Sequence, residues 1–312
     1  MISLLRNYGI AVALVVEIIL FSALSPFFFS AENLLNVTLQ LSITAIIAVG
    51  MTFVILTGGI DLSVGSLVAF VGVVATTALK LPSSIILGFV LALAAGLITG
   101  AISGGLAGLF ITRFRIAPFI ITLALMTIWR GAAFAFTEGR PVWELPEGFS
   151  LLAGLRILSI PLPTILMAFV FVAAHIVLRY TKFGRHVYAV GGNVEAARLA
   201  GINTGRILTE VYVICGVLSA LSGILLASRM NSGQPNAGMM YELDVIAAVV
   251  VGGTSLSGGR GTILGTLIGA MLIGILRNGL NLLNVGSYIQ QILVGVVILL
   301  AVLMDEFQKK RV

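Results

Sequence analysis

Apolar runs long enough to cross a hydrocarbon core follow one another almost end to end along this chain, parted by short stretches of glycine, proline and charged residues. A helix needs roughly 20 such residues to span that core. The pattern predicts about ten spans, at 9–25, 35–57, 62–79, 84–110, 116–136, 162–180, 207–229, 241–258, 261–283 and 287–304. Residues 1–312 therefore read as one all-α integral membrane domain, with related halves at about 35–136 and 207–304. The first run has some features of a cleavable signal: Arg6, the apolar stretch Ile10 to Leu24, and Ser22-Ala23-Leu24-Ser25 before Pro26. Glu17 interrupts it, however, and the next apolar run begins soon afterwards, so the reading is an uncleaved span. A mid-span acid is costly and usually faces protein rather than lipid.

The longest basic interruption is Thr181 to Arg206, which carries Lys182, Arg185, Arg198 and Arg206 against a lone Glu195. Short cytoplasmic loops of membrane proteins collect Lys and Arg. This one also encodes a short helix. Asn193 is placed to cap it, Glu195 lies in its first turn, and Gly201 is placed to end it. Two turns of helix are not stable alone in water, so this one has to lean on something. The loop reads either as a docking element for a soluble partner or as an ordinary solvated connector.

Composition agrees with lipid as the solvent. The chain is 59% hydrophobic and 10% charged, with a mean hydropathy of +1.15, where a soluble domain has about a quarter of its residues charged. The net charge of +6 sits at span ends, which argues against a nucleic-acid partner. With the N-terminus inside, twelve Lys and Arg fall on cytoplasmic segments and six outside, so both termini are expected in the cytoplasm. The outer segment 137–162 balances Arg140 and Arg156 with Glu138, Glu144 and Glu147, and its prolines and Trp143 suggest an ordered interface loop. Cys215 is solitary, and His175 and His186 have no partner at ligand spacing, so neither a disulfide framework nor a metal site is expected.

One repeat stands out. Gly58-Gly59-Ile60-Asp61-Leu62-Ser63-Val64-Gly65 aligns without gaps to Gly252-Gly253-Thr254-Ser255-Leu256-Ser257-Gly258-Gly259. Glycine-interrupted helices in the two halves of a transporter often line the solute path, and glycines also simply let helices pack closely. Asp61, flanked by Gly59 and Ser63, reads as a gating acid or as the cap of a helix starting at Leu62. Path candidates are Gly58, Gly59, Asp61, Ser63, Gly252, Gly253, Ser255, Ser257, Asn278 and Asn281, with Thr57 and Gln290 as further polar positions. Modest interhelical hydrogen bonding is the competing role for the polar members of that set. The sequence holds no GxxxxGK[ST] nucleotide loop, no HExxH and no GxSxG. With few mid-span ionisable groups and no filter motif, the chain reads as a transport subunit energised from elsewhere.

Three segments together carry a resemblance: GGIDLSVGS at 58–66, FGRHVYAVGGNVEAARLAGI at 183–202, and YELDVIAAVVVGGTSLSGGRGTILGTLIGA at 241–270. They resemble the membrane permeases of the ribose-type sugar ABC importers, a family with galactoside, xylose and arabinose members that is distantly similar to branched-chain amino-acid permeases. The likeness runs from about the second span to the C-terminus. It implies a type II importer-like fold in the bacterial inner membrane. It also implies two permease copies (identical or paralogous), two cytoplasmic ATPase subunits that hold the ATP and magnesium, and an extracytoplasmic sugar-binding protein. By that similarity 183–202 would sit in the cleft of the ATPase. Gly184, Gly192, Asn193, Ala197 and Gly201 would be its framework, and Arg185, Glu195 and Arg198 its charged residues. Segments 137–161 and 231–242 would face the binding protein. The other readings are a permease of this build for another small polar solute, such as an amino acid or nucleoside, or a stand-alone secondary carrier.

Overall fold

The computed structural model describes residues 2–82 and 84–309; Lys310 and Arg311, two of the expected cytoplasmic charges, lie outside the described residues. The chain begins with α1 (Ile2–Leu24), α2 (Ala31–Leu56), α3 (Val64–Leu79), α4 (Ile85–Arg113) and α5 (Pro118–Thr137). A short α6 (Leu151–Gly154) and the two-residue strands β1 (Arg156–Ile157) and β2 (Ile160–Pro161) follow. Next come α7 (Leu162–Tyr180), α8 (Lys182–Gly192), α9 (Val194–Leu199) and α10 (Thr204–Met230). The chain closes with α11 (Tyr241–Val251), α12 (Ile263–Leu282) and α13 (Ser287–Lys309). Several starts are written in the sequence. Ser30, Thr181, Asn193, Asn203 and Thr262 each accept a backbone N–H of the first turn, and Pro118 and Pro163 sit in first turns where a missing N–H costs nothing.

Six helices, α2, α4, α5, α7, α10 and α12, are long and apolar enough to cross a membrane. Shorter apolar stretches lie in α1, α3 and α13. The expected count of about ten spans is thus not confirmed among the described residues. The clearest departure is 241–258, where α11 ends at Val251 after 11 residues. Two near-neutral glycines barely lower the average over a span-length window, so a hydropathy scan passes straight through the turn that stops the helix.

α2 and α10 form the centre. α2 is buried almost continuously from Leu41 to Leu56, and α10 packs on α2, α3 and α4. α3 also meets α4 and α5, while α12 joins α1, α2 and α11. α4, α5 and α7 turn Ile86, Phe119, Phe169 and other large apolar side chains outward, as expected where lipid is the solvent. Polar groups inside pair locally or across helices: Thr52 with Thr266 at 2.7 Å, and Ser222 Oγ donating to the Ile43 carbonyl at 2.9 Å.

The most extensive contact is between α4 and α10. Gly96, Gly100, Gly104 and Gly108 recur every four residues along one stripe of α4. A Cβ on Gly104 would overlap the Tyr212 carbonyl, one on Gly100 would overlap the Gly216 carbonyl, and one on Gly108 would lie 2.6 Å from the Thr209 Cα. Small residues let membrane helices approach backbone to backbone. Gly105, one position off the stripe, faces open space. Gly104→Leu is therefore expected to lower the yield and thermal midpoint of the detergent-purified protein sharply, whereas Gly105→Ala leaves the midpoint unchanged or slightly raised. Equal losses in the two variants would remove the stripe's role.

Candidate functional site

Both glycine pairs end helices by the same construction, in a different register from the gapless alignment. In α2 the Gly58 N–H donates to Ile55 at 2.9 Å and the Gly59 N–H to Val54 at 3.1 Å. In α11 the Gly253 N–H donates to Val250 at 2.9 Å and the Thr254 N–H to Val249 at 3.2 Å. These are two Schellman ends, with the left-handed position filled by Gly58 (φ +78°) and by Gly253 (φ +86°). Structure thus pairs Gly58 with Gly253 and Gly59 with Thr254, one residue off. Gly252 instead gives α12 room, since a Cβ there would meet the Gly265 carbonyl at 2.5 Å. The following helices start at Val64 and Ile263, so the second linker is four residues longer and Ser63 and Ser257 are not equivalent.

The two breaks touch. The Gly259 N–H donates to the Leu56 carbonyl at 2.9 Å, and a Cβ on Gly258 would lie 2.9 Å from the Gly58 nitrogen. α8 closes onto the same point. A Cβ on Gly191 would overlap the Leu56 carbonyl and lie 2.6 Å from the Gly259 nitrogen. Tyr188 Oη donates to the Gly261 carbonyl at 2.8 Å, and burial pushes its phenol above the usual tyrosine range, which keeps it a donor. Phe183 stacks on Phe53 of α2 with ring centroids 6.1 Å apart. Gly184 makes the sharp α7–α8 corner, because a side chain there would overlap the carbonyls closing α7.

The expected small helix is present as α9. Asn193 Oδ1 accepts the Ala196 N–H at 2.9 Å, Ala197 is buried, and Gly201 (φ +82°) closes it through Gly201→Arg198 and Ile202→Ala197 bonds. Glu195 and Arg198 pair at 2.9 Å on the surface, where such a pair contributes little stability. Gly192 and Arg185 are exposed. Sequence reasoning missed that 182–192 is itself helical, and missed the contacts of Phe183, Tyr188 and Gly191. It also missed Val194 and Leu199, apolar residues of α9 held 41% and 86% exposed. An 11-residue helix with buried Val187 and Val190 on one side has the helical period that would have found α8.

Asp61 is buried, and its Oδ1 accepts both the Ser63 N–H at 2.9 Å and the Ser63 hydroxyl at 2.6 Å. That turn precedes a helix beginning at Val64 rather than Leu62. Ile60 is pinned from two sides, by Thr122 Oγ1 at 3.1 Å and Tyr212 Oη at 3.5 Å. In the second linker the Ser255 N–H donates to Arg260 at 2.9 Å, and the Gly258 N–H donates to the Ser255 carbonyl at 3.0 Å; Ser257 is exposed. Asn278 and Asn281 lie elsewhere, at least 15 residues along α12, roughly 22 Å at 1.5 Å per residue. Asn278 exchanges amide hydrogen bonds with Asn33 at 2.8 and 3.1 Å. Asn281 accepts from Gln290 at 2.7 Å, and both line a polar cavity of about 280 Å³ between α2, α11, α12 and α13. Among the described residues no cluster of acids, histidines or cysteines has metal-binding spacing.

A family model described as the permease component of branched-chain amino acid transport systems matches residues 33–302. The chain belongs to this family. The permease is 50% identical over 301 residues to the ribose import permease protein RbsC of Escherichia coli K12, covering 94% of this chain and 92% of that protein. It is 47% identical over 310 residues to RbsC of Bacillus subtilis 168, covering 96% and 93%. Identity to the L-arabinose transport system permease AraH of E. coli K12 is 37% over 304 residues, covering 97% and 92%. No solved structure matches the permease.

The junction makes a direct prediction. Gly191→Ala should lift α8 from the two breaks and raise backbone hydrogen exchange across 182–202. Gly192→Ala, whose Cβ meets open space, should not. Unchanged protection in Gly191→Ala would show that α8 is held by other contacts.

Proposed function

We propose that this chain is the membrane-spanning subunit of an ATP-binding-cassette importer and translocates a sugar of the ribose-like pentose or hexose class. The observation that carries this reading is the 50% identity to a ribose import permease across 94% of the chain. Arabinose permeases at 37% identity place the solute within small sugars rather than amino acids, although the family description names amino-acid transport. The sequence holds no nucleotide-binding loop, so ATP and magnesium belong on a separate cytoplasmic ATPase subunit and this chain binds no cofactor.

The ATPase docks on α8 and α9. Leu199 and Val194 offer apolar contact, and Lys182, Arg185 and Arg198 ring it with charge. Both termini lie in the cytoplasm on this reading. On the opposite face the binding protein meets 137–161 and 231–242. That pairing is supported by the bridge between Val142 and Gly233 at 2.9 and 3.0 Å, and by Arg130 donating to the Pro235 and Ala237 carbonyls at 2.9 and 2.8 Å. A second permease copy completes the path. ATP binding draws the docking helices together and opens the pair outward; hydrolysis returns it inward. Each docking helix carries the broken ends of α2 and α11 with it, because Gly191 leaves no slack against Leu56 and Gly259.

Leu199→Glu should abolish stable association with the ATPase and ATP-driven sugar uptake in proteoliposomes. Its thermal midpoint should be unchanged, since the side chain is 86% exposed. A cysteine at Ala196 should cross-link to the ATPase in an ATP-modulated way. Normal uptake by Leu199→Glu, or saturable gradient-driven uptake by the purified permease alone, would overturn the docking and importer readings respectively.

A further inference from the structure

The polar cavity between α2, α11, α12 and α13 contains charges that the membrane makes expensive. Asp244 is 5% exposed and accepts from Arg277 Nη2 at 2.6 Å. Arg277 Nε, also buried, has no hydrogen-bond partner. A buried ion pair is weak evidence for stability, and breaking even is its usual outcome against an apolar replacement. An intramembrane ion pair with an unspent donor therefore points to an unfilled task. The cavity, about 280 Å³, is several times the ~30 Å³ share of one liquid water. Gln40 and Thr44 of α2 and Asn281 of α12 line the same space, Tyr241 contributes an aromatic side chain, and Arg229 sits at its edge.

We infer that this cavity is a transient binding site for a neutral sugar, with Arg277 and Asp244 recognising a vicinal diol. This inference rests on the importer reading and deepens it. Each sugar hydroxyl both donates and accepts. Arg277 lines the cavity and has guanidinium N–H donors beyond the one given to Asp244, the Asp244 carboxylate has acceptor capacity beyond its bond to Arg277, and the side-chain amides supply both kinds to the rest. An apolar solute would leave these groups unpaired, a large loss in a desolvated site. Asp244 and Arg277 neutralise each other and Arg229 adds one positive charge at the edge, so the neutral class rests on the match to hydroxyls, and the ribose 5-phosphate arm of the test decides it. Residue patterns showed little of it: Arg277 is one of the six Lys and Arg expected on the outer side, and Asp244 falls within the third resemblance segment.

The test uses the assembled importer with its ATPase and binding protein in proteoliposomes, and D-ribose as probe. Asp244→Asn and Arg277→Lys should raise the KM for ribose roughly tenfold or more, as expected for a lost hydrogen bond to a charged group. Gln40→Ala, a milder change, should raise KM in the same direction and serves where a charge variant fails to assemble. In a Thr44→Cys variant, ribose should slow maleimide labelling, 2-deoxyribose should do so less, and ribose 5-phosphate not at all. Native Cys215 is fully buried and does not compete for label. Wild-type KM in all three variants together with no protection of the cysteine at 44 would overturn the site and leave the importer reading standing. Protection by ribose 5-phosphate but not by ribose would overturn the neutral class in favour of an anion. Absence of ATP-driven uptake of ribose or arabinose by the unaltered assembly would overturn the importer reading itself, and this inference with it.

Discussion

The structure turns on one backbone meeting: the Leu56 carbonyl receives the Gly259 N–H while Gly191 presses against both. In lipid, a broken helix is tolerated only where its freed backbone groups are met by protein. Here each break supplies part of what the other lacks, and α8 covers the join. Remove any of the three strands of contact and carbonyls at a helix end lose either a partner or their shelter. The glycine pairs are therefore structural necessities of a junction, beyond being turns in their own helices.

That meeting also ties a small helix at the surface to a large apolar body. α9 alone is two turns, too short to hold its shape, but it follows directly from α8, and α8 is fixed by Phe183, Tyr188 and Gly191 to α2 and to the linker before α12. Coupling is carried by rigid elements in contact, and here backbone meets backbone at Gly191 with the Phe183 and Tyr188 side chains packed alongside. α2 in turn lies at the centre against α7, α10, α11 and α12. The polar cavity begins on α2 at Gln40 and Thr44 and ends on α12 at Asn281, so the helices that carry the breaks also form the walls of the space proposed for the solute.

Most of the helices were legible as apolar runs, and the cap of α9 was legible down to Asn193 and Gly201. Two things were not. The span at 241–258 hid a helix stop, because near-neutral Gly252 and Gly253 barely lower a span-length hydropathy average and the left-handed turn at Gly253 leaves no mark on it. The repeat was visible but slipped by one, since identity rewards matching glycines while the chain matches hydrogen bonds; Gly58 shares its role with Gly253. The polar path candidates were assembled by residue type, which cannot tell Asn278, engaged with Asn33, from Asn281, which lines a cavity. Asp244 and Arg277 were passed over because their partnership spans 33 residues of sequence and only the packing of α11 on α12 brings them together.

The central claim is that α8 and α9, proposed as the docking helices, move as one body with the two helix breaks. Pulsed dipolar spectroscopy measures it on the assembled importer in two preparations: one with spin labels at Ala196 and Ser257, both exposed, on a single copy of the permease, and one with a label at Ala196 on each copy. The account predicts one narrow distance within the copy that stays the same with and without ATP, while the Ala196 distance between copies shortens when ATP binds. A distance within the copy that changes with ATP would contradict it, because α9 would then be moving over the junction instead of carrying it.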